Sequence, residues 1–319
     1  MNIETHLTNF KREIGKVIVG QDEVLDLLFI SILQKGHVLF ESVPGTGKTS
    51  LSKALAKTID GSFRRIQFTP DLLPTDITGL NIYSPKTHEF ELQMGPIATN
   101  VLLADEINRA TPRTQSALLE VMEERQVTID GQKIEIDDPF IVIATQNPIE
   151  STQGTFSLPE AQMDRFLMRI DLGYPSREEE LNMMALYNGH SPTEEIHTVF
   201  SKEMITELQS RCSAITVNHS TMEYMLDMIH LTRQHPHVDI GVSPRGTLAL
   251  MHAAQGVALI QDRDYVTPED VKYIAPYILG HRIVLSIEGL TLSDQKTVIR
   301  EIIEGTEVPV EYGVPRNEL

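Results

Sequence analysis

The segment Ser42-Val43-Pro44-Gly45-Thr46-Gly47-Lys48-Thr49, continued by Ser50, carries the residue types needed to grip a polyphosphate. Gly45 and Gly47 allow backbone N–H groups to approach phosphate oxygens, and a helix starting there turns its positive end toward them. Lys48 is spaced to reach the β- and γ-phosphates, and the Thr49 hydroxyl to ligate Mg²⁺. ATP and Mg²⁺ are therefore the implied ligands. One position departs from the usual pattern, which begins with glycine where this chain has Ser42. That position shapes the turn into the loop. The alternative is an accidental Gly-Lys-Thr, against which stand an apolar run before the segment and helical spacing after it.

Asp105 and Glu106 close the apolar run Val101–Ala104. Successive carboxylates at the carboxyl end of a buried parallel strand point to different sides beside a phosphate loop. Asp105 can then hold the water shell of Mg²⁺ while Glu106 polarises an attacking water, the division of labour that phosphoryl transfer to water requires. Alone, the pair reads equally well as a surface turn; the upstream loop decides for chemistry. Asn147 follows another apolar run, where its amide could orient water or touch the γ-phosphate, although Asn-Pro is also an ordinary turn. Ser243 caps and Pro244 opens a helix, so Arg245 sits in its first turn, where a cation opposes the helix dipole by about 0.3–1 kcal/mol unless an anion lies nearby. A phosphate or a carboxylate would serve. For Arg165, spacing alone assigns no role, and an ion pair with a neighbouring acid is the default.

The elements that must position these groups alternate between apolar runs and helical patterns. Strands are expected at Val38–Glu41, Phe63–Phe68, Val101–Asp105, Phe140–Thr145 and Leu167–Leu172, fully apolar where both faces of a parallel sheet are covered. Leu51, Ala54, Leu55 and Ile59, and Ala117, Leu118, Val121 and Met122, recur at helical spacing. Two hairpins interrupt the alternation, Leu80–Leu92 and Val127–Ile136, the second turning on Asp130-Gly131. After Tyr174-Pro175 the pattern becomes helix upon helix. Ser176 with Glu179, and Ser220 with Glu223, have capping-box spacing, and Thr267-Pro268 repeats the hydroxyl-proline start. The expected organisation is an α/β nucleotide domain over residues 1–180 with inserts at about 80–92 and 127–136. A helical domain follows over 181–304, with the boundary near Tyr174–Ser191, and then an extended or disordered tail over 305–319.

Composition narrows the function classes. The chain has 319 residues, 27 Lys and Arg against 45 Asp and Glu, and a net charge of −18, a balance that repels polyanions at long range. Cys212 is the only cysteine, so no internal disulfide and no cysteine-rich metal site exists. The start lacks the pattern of a secretory signal and the apolar runs are too short to span a bilayer, so no membrane insertion and a cytoplasmic location are expected. Met183, Met184, Met222, Met225 and Met228 read as packing residues. His235 and His237 flank Pro236 without nearby acids and make a poor metal site.

With these residues in place, the chain resembles the AAA+ ATPases and, more narrowly, the MoxR family. The resemblance is carried by Val19-Gly20-Gln21, Gln67-Phe68-Thr69-Pro70-Asp71-Leu72-Leu73-Pro74, Asp105-Glu106-Ile107-Asn108-Arg109-Ala110 and Leu158-Pro159-Glu160-Ala161-Gln162-Met163-Asp164-Arg165-Phe166. It runs from about Ile14 to Ile303. The resemblance implies a five-stranded nucleotide domain followed by an all-helical lid, with ATP between them and Val19-Gly20-Gln21 beside the adenine. It implies that Asn147 is the first sensor, Arg245 the second, acting in cis or in trans, and Arg165 an arginine finger completing a neighbour's site. Such a finger requires head-to-tail packing into a ring, a hexamer by family expectation. Family members act as chaperone-like machines on protein partners, often ones with a von Willebrand factor A domain. The competing readings are a nucleic-acid-stimulated motor, an ATP-gated scaffold and a magnesium-chelatase-like motor subunit. Lys86 against Glu89 and Glu91, and Lys133 against Asp130, Glu135 and Asp137, leave neither hairpin basic, which argues against nucleic acid.

Overall fold

The computed structural model describes residues 3–43, 45–147, 155–187 and 195–309. Pro44 and the tail beyond residue 309 lie outside the described residues. In chain order the elements are α1 (Ile3–Gly15), α2 (Asp22–Leu33), β1 (Val38–Ser42), α3 (Lys48–Thr58), β2 (Phe63–Gln67), α4 (Pro74–Thr78), β3 (Gly79–Ser84), β4 (Glu89–Met94), β5 (Val101–Asp105) and α5 (Pro112–Glu124). Then come β6 (Gln126–Ile129), β7 (Gln132–Glu135), β8 (Ile141–Gln146), α6 (Glu160–Met163), β9 (Met168–Leu172), α7 (Arg177–Leu186) and α8 (Lys202–Ser213). The rest are α9 (His219–Gln234), β10 (Val238–Ile240), α10 (Pro244–Ile260), α11 (Pro268–Leu279), β11 (Val284–Leu285), α12 (Ile287–Leu292) and α13 (Gln295–Gly305).

Five strands form one parallel sheet in the order β2-β5-β8-β1-β9. The central strands are buried throughout their apolar lengths, as their unbroken runs predict for a sheet covered on both faces. One face packs Ile66, Leu102, Val142, Leu118 and Met122 into a common core with Phe140 and Phe166. Since the strands are parallel, their carboxyl ends share one edge of the sheet, and Ser42, Asp105 and Gln146 end there together.

The two inserts are antiparallel hairpins, β3–β4 and β6–β7. Asp130 and Gly131 between β6 and β7 both have positive φ, 48° and 82°, the backbone a tight two-residue turn requires. Asn81 donates to Asp130 at 2.7 Å, tying the hairpins to each other. The β3–β4 hairpin leaves Ile82, Tyr83, Phe90 and Leu92 exposed.

The chain divides into compact units Met1–Cys212 and Ser213–Leu319, later than the break expected near Tyr174–Ser191. The reason is packing. Phe200 is fully buried and stacks on Phe29 at 4.9 Å, and Val199 and Phe200 both donate backbone hydrogen bonds to Thr58. Gln209 reaches the Ile32 carbonyl at 2.8 Å, and Cys212 is buried, its thiol pushed up to about 12 by desolvation. The second unit is a helical body of α9–α13 with the short pair β10–β11. Its caps follow the sequence: Ser243 accepts from Gly246, and Thr267 forms a reciprocal box with Asp270. The Ser176–Glu179 box of the first unit also forms. The Ser220–Glu223 box does not: Asn218 caps α9 by accepting from Thr221, and Ser220 is already the second helical residue, its hydroxyl donating to Asn218 Oδ1 at 3.0 Å. With Asn218 at the N-cap the helix starts two residues earlier than the Ser220 box would place it, and the Thr221 N–H is the one satisfied. α13 runs to Gly305, where the expected tail begins.

Candidate active site

β1 leads directly into the phosphate loop, and α3 starts at Lys48. Ser42 is the last strand residue, paired with Leu172, so its backbone is extended and needs no glycine. Its hydroxyl accepts from Lys48 Nζ at 2.7 Å, and the Val43 carbonyl accepts from the same ammonium at 3.2 Å. Gly45 and Gly47 have φ of 86° and 80°. A side chain at Gly45 would meet nothing within 4 Å, so the backbone there faces an open concavity, and Ile18 lies 3.5 Å from where a Cβ of Gly47 would stand. These are the left-handed positions that favour glycine and turn successive N–H groups to one side.

A cleft of about 290 Å³ opens on this loop, lined by Gly45, Thr46, Gly47, Lys48, Thr49, Ser50, Asp105, Glu106 and Asn147 among others. The sequence therefore named most of its walls. Asp105 is almost buried. Its Oδ1 accepts from the Thr145 hydroxyl at 2.6 Å, and the same hydroxyl accepts from the Glu106 backbone N–H at 2.9 Å. Thr145, on the adjacent β8, thus fixes both acids at once. Glu106 adopts φ 56° and ψ 51°, a left-handed conformation that costs a non-glycine residue roughly 1 kcal/mol or more. This residue turns the chain out of β5 into the short helical turn Ile107–Arg109. Glu106 Oε2 accepts from Gln67 Nε2 at 2.5 Å and lies 3.1 Å from Arg109 Nε. Burial pushes the Lys48 ammonium pKa down, partly offset by Asp105 and Glu106, while Arg65 lowers it further. Lys48 is a cation whose desolvation an incoming anion would relieve.

The residues present fit a nucleoside triphosphate with Mg²⁺. The left-handed glycines make a cradle that a Cβ would fill, Lys48 supplies charge, and Thr49 and Asp105 supply the hard oxygen ligands magnesium prefers. Not every expected residue lines this cleft. Val43 contributes its carbonyl to Lys48, and Gly20 (φ 73°) lies so close to the Glu179 carboxylate that any side chain there would overlap it. Val19 and Gln21 flank Gly20, with Gln21 preceding α2. Arg165 is elsewhere, in a second cleft against α5. Arg245 lies in the second unit, in the first turn of α10, as its spacing predicted. Four further wall residues, Arg65, Gln67, Thr145 and Gln146, were not identified as site residues from the sequence. For Arg65 and Gln67 the usable signal was spacing: at i and i+2 on a strand they share one face, opposite the buried Ile66.

Comparison with known proteins agrees with this geometry. Residues 37–168 match the profile of the ATPase family associated with various cellular activities (AAA), and residues 230–302 that of the AAA lid domain. The chaperone MoxR1 of Mycobacterium tuberculosis is 41% identical over 314 residues, covering 95% of this chain and 82% of that one. The chain belongs to the MoxR family of AAA+ ATPases. Within reach of this MoxR-family chain is also YeaC of Bacillus subtilis, 50% identical over 304 residues and 95% of each chain. A crystal structure from Cytophaga hutchinsonii, described as a candidate ATPase, superposes with a TM-score of 0.90 at 38% identity, covering 97% of this chain and 96% of the other. Among the described residues no helix is long and apolar enough to cross a membrane, and no group of three or more His, Cys, Asp and Glu is arranged to hold a metal ion.

Proposed function

We propose that this protein is a ring-forming ATPase that couples Mg²⁺-dependent hydrolysis of ATP to the remodelling or activation of a protein partner. The observation that carries the reading is the convergence, on one cleft, of two left-handed glycines, Lys48, Thr49, Asp105 and Glu106. Magnesium, when bound, would neutralise charge developing on the phosphates and orient them. The chain's own residues do the rest. Backbone N–H groups of the loop and Lys48 hold the phosphates; Asp105, fixed by Thr145, anchors the water shell of the ion. Glu106 accepts a proton from water as its oxygen bonds to the γ-phosphorus and the bond to the ADP oxygen breaks. Asn147, buried in the cleft wall, orients that water or senses the γ-phosphate.

Val19, Gly20 and Gln21 are assigned to the adenine, and the helical second half to the lid, with Arg245 as its phosphate sensor in cis or in trans. Arg165 is assigned to a neighbouring subunit's nucleotide, which requires a closed head-to-tail ring such as a hexamer. The acidic hairpins and the net charge favour a protein client over nucleic acid, a von Willebrand factor A domain being the class suggested by the family. The test is Glu106→Gln. It should keep ATP affinity while turnover falls by roughly 10²–10⁴, the range of a lost general base. Hydrolysis at the parent rate would overturn the assignment.

A further inference from the structure

Arg65 has no role in the reading above, yet its guanidinium reaches into the cleft. β2 is an edge strand, and its register places Gln67 opposite Asp105 of β5. Phe63, Arg65 and Gln67 share the strand face turned toward α3, since Lys53 of α3 lies over the Phe63 ring at 5.9 Å. Arg65 Nη2 donates to Asp105 Oδ2 at 2.6 Å and to Gln67 Oε1 at 2.8 Å. Both oxygens of Asp105 are thus engaged by different chemistry: Oδ1 by the neutral Thr145 hydroxyl, Oδ2 by a cation. The carboxylate side chain is 12% exposed and the guanidinium side chain 45%. The acid is held in place, while its partner hangs on a long stem that can swing into water.

We propose that Arg65 is the resident counter-ion of Asp105 and competes with the divalent ion for it. A nearly buried carboxylate is costly without a positive partner. A guanidinium and a hydrated magnesium ion would repel each other and would compete for the one Asp105 carboxylate, so Asp105 would hold the ion's water shell fully only once Arg65 lets go. Arg65 thereby sets the magnesium concentration at which nucleotide is gripped. The inference rests on the nucleotide-site reading and adds a residue that tunes it.

The test follows metal binding directly. Mn²⁺ is titrated against the ADP-bound protein by electron paramagnetic resonance, and Mg²⁺ is titrated while a fluorescent ADP analogue reports affinity. In Arg65→Gln and Arg65→Ala the metal midpoint should fall by about three- to fivefold, the size set by a half-exposed ion pair. Arg65→Lys keeps a cation and should stay near the parent, which also controls for folding. A midpoint unmoved in Arg65→Gln would make Arg65 merely structural, and a raised midpoint would make it a phosphate ligand; either overturns the proposal and leaves the nucleotide site standing. Parent protein that does not bind the analogue at all would overturn the site reading and this inference with it, whereas binding equal with and without Mg²⁺ would overturn this inference alone.

Discussion

Arg65 and Arg165 each meet a carboxylate at 2.6 Å, but they sit in clefts of opposite kind. Arg65 shares its cleft with the glycine cradle, Lys48, Asp105 and Glu106, so the groups that could hold a phosphate are already beside it. Arg165 pairs with Glu123 and donates to the Leu119 carbonyl at 3.0 Å, in a cleft of about 250 Å³ whose other walls include Glu120, Glu124 and Gln162. No phosphate-binding backbone lines that second cleft among the described residues. Within this chain Arg165 is paired with an acid, the default reading where spacing assigned no role. The comparison teaches that the same side chain, similarly paired, serves its own subunit only where the fold has built a cradle around it. Elsewhere it can meet a phosphate only if another molecule brings one.

The largest effect that could break this contrast comes from Arg165→Ala. If Arg165 serves a neighbour, turnover should fall by about 10³ or more while nucleotide affinity stays near the parent. Mixing Arg165→Ala with Glu106→Gln subunits should then recover activity, because some interfaces in the mixed ring pair an intact finger with an intact acid. Two inactive variants that fail to complement would return Arg165 to a structural ion pair with Glu123.

A smaller effect sharpens the other half of the comparison. Thr145→Val removes the hydroxyl that both Asp105 and the Glu106 backbone use. Leaving two such groups unsatisfied costs about 1–3 kcal/mol each in stability, and we expect kcat to fall by roughly tenfold as the acids lose register, about 1.4 kcal/mol of transition-state stabilisation. Thr145→Ser should restore both. Unchanged turnover in the stably folded valine variant would show that the acids hold themselves.

How much of this was visible beforehand differs between the regions for physical reasons. The central strands β5 and β8 were legible because a strand covered on both faces is apolar along its buried length, and β5 begins and ends where its composition says. The phosphate loop was legible because only glycine accepts its left-handed turns cheaply. Arg65 and Thr145 were not, since their roles come from strand order: β2 and β8 flank β5 only after the sheet assembles, and no local spacing encodes that neighbour relation. The same holds for α8, whose attachment to the first unit depends on contacts with α2 from the far side of the sequence. Glu106 was named a site candidate and lines the cleft, but its left-handed backbone leaves no trace in an Asp-Glu pair.

The smallest expected effect concerns the framework common to both clefts. His37, just before β1, is buried and neutral: its Nδ1 accepts from the Val142 N–H of β8 at 2.9 Å, while Nε2–H donates to the Met122 carbonyl of α5 at 3.0 Å. One imidazole thereby joins the strand that carries Thr145 to the helix that lines the Arg165 cleft. Burial, with Arg125 nearby, lowers its pKa from 6.5 to about 3, against a small upward pull from the Met122 carbonyl. Because the folded value lies below the unfolded one, stability from this group is complete above about pH 6.5 and is lost as pH falls toward 3. Between those limits the unfolded chain takes up a proton that the folded chain refuses, at up to about 1.4 kcal/mol per pH unit. Denaturant unfolding of the parent from pH 7 to 5 should therefore show a steeper loss than His37→Gln, whose amide cannot titrate. Parallel slopes would mean that His37 is protonated in the folded protein, and that one of its two backbone bonds is not made as described.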